Sequence, residues 1–296
     1  CLIQKSDRMM WMNIWTDNVS GGQKMNGSKD LKTIIYFKGV YDTLDLFTDH
    51  LIEAFESMGY GTFVYHTANE EVSKKMLLRL LDESQEFAVV TFNNLGYNLS
   101  FEQSEAAEDE EKKPEEHNIW NYFHIPYIDI LMDHPFHYEK PLCNMPETAV
   151  ILCTDRNHEK YIRRFFKNIH QTDFLPHAGV ELGHKHKPLN DRNIDVLYAG
   201  ALPIYTVAKM IPDLHSIPEV DGEHMMQSVL GELVQHPEQT TEQAIEAYVK
   251  SVRGDISDER LQEIIVKMRF LDSYATSFFR EQAVRILVES GIHVTA

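Results

Sequence analysis

The chain is poor in cysteine. Cys1, Cys143 and Cys153 are its three thiols in 296 residues, and no CxxC pair is among them. Three scattered thiols form no disulfide framework and no thiolate zinc site, and they fit a reducing cytoplasm. Positive charge is scarce as well. The 28 lysines and arginines face 46 aspartates and glutamates, for a net charge of −18. A general nucleic-acid binder needs a basic surface to displace phosphate counterions, so that class is excluded. No apolar run is long enough to span a bilayer, so no membrane span is expected. The opening CLIQKSDRMMWMNIW has mixed polarity and lacks the apolar core of a signal peptide. Also missing are a GxGxxG fingerprint, a P-loop and a GxSxG elbow.

What is present suits a globular protein of up to two domains. Hydrophobic residues make up 43% and charged residues 25%, both ordinary for that class. Residues 1–30 read as a flexible leader, with Met25 as a plausible natural start. The negative charge is uneven. EQSEAAEDEEKKPEE, residues 102–116, holds eight acids and two lysines and reads as a solvated loop or helix face.

From residue 31 the pattern alternates. LKTIIYFKGV (31–40), GTFVYHT (61–67), EFAVVTFNN (86–94), IPYIDILMDH (125–134) and TAVILCTD (148–155) read as strands, and TDFLPHAG (172–179) as a short extended piece. Between them, DTLDLFTDHLIEAFESMG and NEEVSKKMLLRLLDES place apolar residues three and four apart, the period of one helix face. RNHEKYIRRFF is a helix with four basic residues. Apolar strands without polar alternation, each followed by a helix, predict an α/β fold with a parallel sheet covered on both faces. After a polar linker at 183–192 come a new strand, NIDVLYAGALP, then helices at 223–236, 240–252 and 257–291, and a last strand start, IHVTA. Two strands make no stable doubly wound sheet. Either they join the first sheet, or they open a second domain that is cut short at Ala296.

Ligands of open α/β sheets bind beyond the carboxyl ends of the strands. The residues found there are Gly39, Tyr41 and Asp42 after the first strand and Asn93 and Asn94 after the third. Asp133, His134, Pro135 and His137 follow the fourth, Asp155, Arg156, Asn157 and His158 the fifth. His177 and Gly179 follow the short piece, and Gly200 the later strand. Asp133 beside His134 is a candidate proton-transfer pair, because a carboxylate can fix an imidazole tautomer and raise its basicity. The plainer reading has Asp133 capping a turn and Pro135 stopping the strand, since the residue before a proline avoids helical geometry. Asp133, His134 and His137, or His184 and His186, could ligate a metal. Adjacent ligands on a strand converge poorly, and lysines flank the second pair, so no metal site is expected. Cys143 and Cys153 read as core thiols.

Five stretches taken together, IDILMDHPFHYEKPL, AVILCTDRNHEKYIRRFF, TDFLPHAG, KPLNDRNIDVLYAGAL and FREQAVRILVESGIHVTA, resemble the bacterial CgeB-like glycosyltransferases of the spore-maturation type. The resemblance implies a GT-B architecture, with two Rossmann-like domains. Residues 31–185 would be the acceptor-side domain. Residues 186–296 would be the linker, a helical region and the start of a truncated donor-side domain. It further implies transfer of a sugar from a nucleotide-sugar donor to a bacterial protein or glycan acceptor, without a metal or other cofactor. Asp133 and His134 would be catalytic. By their place beyond the strand ends, Gly39, Tyr41, Asn93, His137, Asp155, Arg156, Asn157 and His177 are read as substrate-binding, and the resemblance puts Gly200 on the donor phosphate side. The amphipathic helices at 223–290 offer a face for a second copy. The alternative is a non-catalytic α/β binding or assembly module.

Overall fold

The computed structural model describes residues 31–82, 86–103, 115–179, 187–200, 211 and 213–295. The expected leader 1–30, most of the acidic stretch, and His184 and His186 lie outside them.

The elements run in the alternating order that the hydrophobic pattern predicts. Strand β1 (Leu31–Lys38) leads to helix α1 (Asp42–Ser57), β2 (Gly61–His66), α2 (Glu70–Leu81) and β3 (Glu86–Phe92). A hairpin of β4 (Ser100–Gln103) and β5 (Glu115–Asn118) precedes the single-turn α3 (Ile119–Tyr122) and β6 (Tyr127–Leu131). A 3-10 turn (Pro135–Tyr138), α4 (Glu139–Cys143), β7 (Ala149–Cys153), α5 (Arg156–Phe165) and β8 (Gln171–Phe174) follow. The rest comprises β9 (Val196–Leu197), four helices α6 (Gly222–Gln235), α7 (Thr241–Arg253), α8 (Asp258–Met268) and α9 (Phe270–Glu289), and β10 (Val294–Thr295).

The chain divides into two compact units. One extends to Met132 and adds Asn144–Arg156 and Ile169–Gly183; the other holds Asp133–Cys143, Asn157–Asn168 and His184–Ala296. The first is a Rossmann-like α/β unit. Its six parallel strands lie in the order β2-β1-β3-β6-β7-β8. The chain leaves β1 for one side of the sheet and later continues on the other, so the order reverses between β1 and β3. Ile34, Tyr36, Val90, Phe92, Ile128, Ile130, Val150 and Leu152 alternate onto one face, where Phe47, Leu51, Ile52 and Phe55 of α1 pack against them. At roughly 25 cal/mol per Å² of apolar surface removed from water, this two-sided burial drives folding of the unit.

The opposite face is aromatic. Trp120 of α3 stands edge-on to Phe37 at 6.2 Å and lies 6.0 Å from Tyr127. Its indole N–H donates to Gly96 O at 2.7 Å. Gly96 has φ +78°, and a Cβ there would lie 2.1 Å from the Phe37 ring, so the site admits no side chain.

The β4–β5 hairpin pairs Ser100 with Asn118 and Phe101 with His117. Its arms are the flanks of the acidic stretch, which the sequence reading left without strands. Their polar composition carries no strand signal.

The second unit is mostly helical. The run 257–291, read from its period as one helix, is two: α8 ends and α9 begins around Arg269. Ser257 caps α8 through the Arg260 N–H, as its residue type suggested. Strands β9 and β10 form a separate parallel pair, Val196 with Val294 and Leu197 with Thr295, and do not join the six-stranded sheet. Cys153 is buried, whereas Cys143, expected in the core, is exposed at the end of α4.

Candidate functional site

The sheet unit places several of the sequence-selected residues at the carboxyl ends of β1 and β3, where its strand order reverses. This junction is where open α/β sheets leave a crevice for ligands. Gly39 follows β1 with φ +99°, a conformation that glycine adopts without steric cost. Its N–H donates to both Asp45 carboxylate oxygens, at 3.0 and 3.1 Å. Tyr41 precedes α1 and is 59% exposed.

From β3, Asn93 and Asn94 turn the chain with φ 47° and 65°. Two consecutive non-glycine residues in the left-handed region store backbone strain, and asparagine tolerates it best. Strand β6 fastens the turn. Asn93 N donates to Ile130 O at 3.2 Å, and Met132 N donates to Asn93 Oδ1 at 2.8 Å. Asn94 N donates to Asp129 Oδ1 at 3.0 Å.

Asp129 is fully buried, and Asn94 is 4% exposed. Asp129 Oδ2 and both polar atoms of the Asn94 carboxamide make no hydrogen bond. Burial raises the Asp129 carboxyl to about 7, against the opposing pull of the Asn94 N–H. Sequence reasoning listed Asn94 among the strand-end residues and passed over Asp129. The available signal was a lone acid inside the apolar strand YIDIL.

Also in this unit, Asp155 and Arg156 are exposed after β7, and the Arg156 guanidinium stacks on Phe174 at 4.1 Å. His177 is exposed beyond β8.

The helical unit holds Asp133, His134, His137, Asn157 and Gly200. His134 has extended geometry, as a residue before proline should. Its Nδ1 accepts the Phe136 N–H at 3.2 Å, so the ring caps the 3-10 turn and Pro135 occupies the first turn position. An Nδ1 that accepts leaves the ring proton on Nε2. Nε2 lies 3.3 Å from Glu242 Oε2 of α7, within ion-pair reach but off hydrogen-bond alignment. The ring stacks on buried Phe136 at 3.6 Å and meets His158 and Tyr161 edge-on at 4.6 and 5.1 Å. Burial raises the Glu242 carboxyl, but its contacts with His134 and Thr240 outweigh that and leave it below the ordinary value.

The carboxylate facing His134 is therefore Glu242. Asp133 is exposed, and its Oδ2 accepts from the Tyr138 hydroxyl at 2.8 Å. Glu242 left no trace in the sequence, where it is one acid among several in a helical run.

Desolvation lowers the His137 imidazole, with His134 and Arg269 acting the same way against Asp272 and Asp133. Asn157 accepts from Lys160 at 3.5 Å, and Gly200 is exposed.

The basic side chains of α5 are engaged within the protein. Arg164 bridges Glu246 and Asp258, each at 2.7 Å, and Arg163 pairs with Glu159. Among the described residues, no three His, Cys, Asp or Glu side chains gather as metal ligands. No helix among them is long and apolar enough to cross a membrane.

Compared with protein families, curated proteins and solved structures, the chain matches none.

Proposed function

We propose that the chain is a glycosyltransferase-like protein of GT-B type, which moves a sugar from a nucleotide donor to a protein or glycan acceptor. The observation that carries this reading is the strand reversal between β1 and β3, with Gly39, Tyr41 and Asn93 at the carboxyl ends of those adjacent strands. A glycine turn, an exposed aromatic ring and a backbone turn rich in amides suit a sugar, which is recognised by stacking and by hydrogen bonds to its hydroxyls. Of the two sequence-selected proton-transfer candidates, both in the helical unit, Asp133 has the exposed carboxylate. His134 is a weaker candidate, because each of its nitrogens faces a protein partner.

Calorimetric titration with UDP-, GDP- and dTDP-sugars tests it. The expected result is saturable binding of one of them, weakened about tenfold by Tyr41→Ala. Absence of binding by all three, with no sugar transfer, would sink the proposal. That outcome would favour the second reading, a binding or assembly module, which the engaged nitrogens of His134 support.

A further inference from the structure

The Asn93–Asn94 turn is the strained segment at the carboxyl ends of β1 and β3, where a ligand crevice would lie, and β6 with Met132 holds it at three points. Two of these use groups that do not titrate: the Ile130 carbonyl, and the Asn93 carboxamide that receives Met132 N. The third is the Asp129 carboxylate under Asn94 N. We propose that Asp129 is a positioning residue for this turn, and that taking up a proton there loosens the turn and weakens ligand capture at the crevice. The part concerning capture rests on the functional reading above.

An ionised carboxylate makes a charge-assisted hydrogen bond to a backbone N–H, roughly twice as strong as the bond to a neutral acid. The strain of two left-handed residues works against the turn, so the strength of this bond decides how well it is held. The surroundings leave Asp129 able to change state. Tyr127 is the titratable neighbour on its own strand, and its hydroxyl is raised by burial first and then by Asp129 and Tyr97. Tyr97 is the titratable group of the following loop. Across the ladder Asp129 faces Thr91 of β3 and Ile151 of β7, neither of them ionisable near neutral pH. Burial and the Asn94 N–H act on its carboxyl, and no charged side chain joins them. Its ionisation therefore falls near neutral pH.

The loop beyond the turn transmits the effect. Leu95 O accepts from Tyr127 and Thr91, and Asn118 donates to Tyr97 O. Movement at Asn94 thus pulls on a segment bonded into the same unit.

The experiment follows the Asn94 amide in the intact chain by NMR from pH 5 to pH 9, with wild type and Asp129→Asn side by side. Wild type is expected to titrate near neutral pH, with a lower hydrogen-exchange protection factor at Asn94, taken against the intrinsic base-catalysed rate at each pH, on the acid side. In Asp129→Asn the amide signal should stay flat, and a thermal melt verifies that this variant is folded. A parallel arm measures UDP-glucose affinity at pH 6 and pH 8, expected to fall several-fold in wild type on the acid side and to be level in the variant. A flat Asn94 amide in wild type overturns the inference, whatever UDP-glucose does. A titrating amide with pH-independent UDP-glucose affinity overturns the link to capture. A titrating amide with no UDP-glucose binding supports the positioning role and counts against the glycosyltransferase reading instead.

Discussion

The two units differ in how their most buried carboxylate is placed. In the helical unit, several ionisable side chains face one another. Arg164 bridges Glu246 and Asp258, Arg260 joins Glu219 and Glu263, and His134 faces Glu242. In the sheet unit, Asp129 lies fully buried with one backbone N–H as its hydrogen-bond partner and an oxygen that makes no hydrogen bond. A paired charge in a helical assembly is explained by packing and register. A buried acid with half its capacity unmet is costly, and such groups concentrate where proteins bind or react. The difference directs attention to the sheet unit, although the imidazole-rich segment of the other unit is more conspicuous in the sequence.

Removing the unusual charge should have the largest effect. The Asp129 carboxyl lies at about 7 in the fold, against 3.8 for the free side chain. The folded state therefore binds the proton more tightly than the unfolded chain. Asp129 is harmless to stability below about pH 4, and its penalty grows as pH rises from there to about 7 and is level above it. At pH 8 the penalty is on the order of 4 kcal/mol. Asp129→Asn should raise stability at pH 8 by up to that amount and change it little at pH 4, as read by urea unfolding at both values. Equal effects at the two pH values would erase the contrast between the units.

Glu242→Gln should come next, with the opposite sign. The Glu242 carboxyl is depressed in the fold, so its contribution is present above the ordinary carboxylate range and is lost as pH falls through the folded value. The substitution should cost about 1–2 kcal/mol at pH 7 and less at pH 3, measured by the same unfolding assay. A stabilising result would mean that His134 needs no carboxylate.

Arg164→Ala should have the smallest effect, because the guanidinium is more than a third exposed. A loss of about 1 kcal/mol is expected, shrinking as salt is raised. A larger, salt-independent loss would show that the bridge to Glu246 and Asp258 behaves as a buried one.

The legible and illegible parts of the molecule divide along physical lines. Long apolar runs identified the strands of the parallel sheet, because two-sided burial leaves little room for polar residues. The helices α1 and α2 were legible from their periodic apolar faces. Polar strands were not: SFEQ and EEHN pair through their backbones, and composition does not report that. The division of 257–291 into two helices was also hidden, since both halves keep the helical period. Gly39, Tyr41 and Asn93 stand where the strand pattern placed them, beyond the carboxyl ends of β1 and β3. Glu242 and His134 meet across 108 positions of sequence through tertiary packing, and no local pattern records such a meeting. After the fourth strand, the segment from His134 to Tyr138 folds through an imidazole cap, a proline start and a buried phenylalanine.

Gly96 carries a consequence of its own. The Phe37 ring fills the space that any larger residue would need, and the backbone there bends the way that residues with a side chain resist. Position 96 should therefore tolerate glycine alone in a saturation library selected for folding, while exposed positions on α1 accept many replacements. A distant homologue of this chain could be recognised by that single small residue, held between a phenylalanine and a tryptophan.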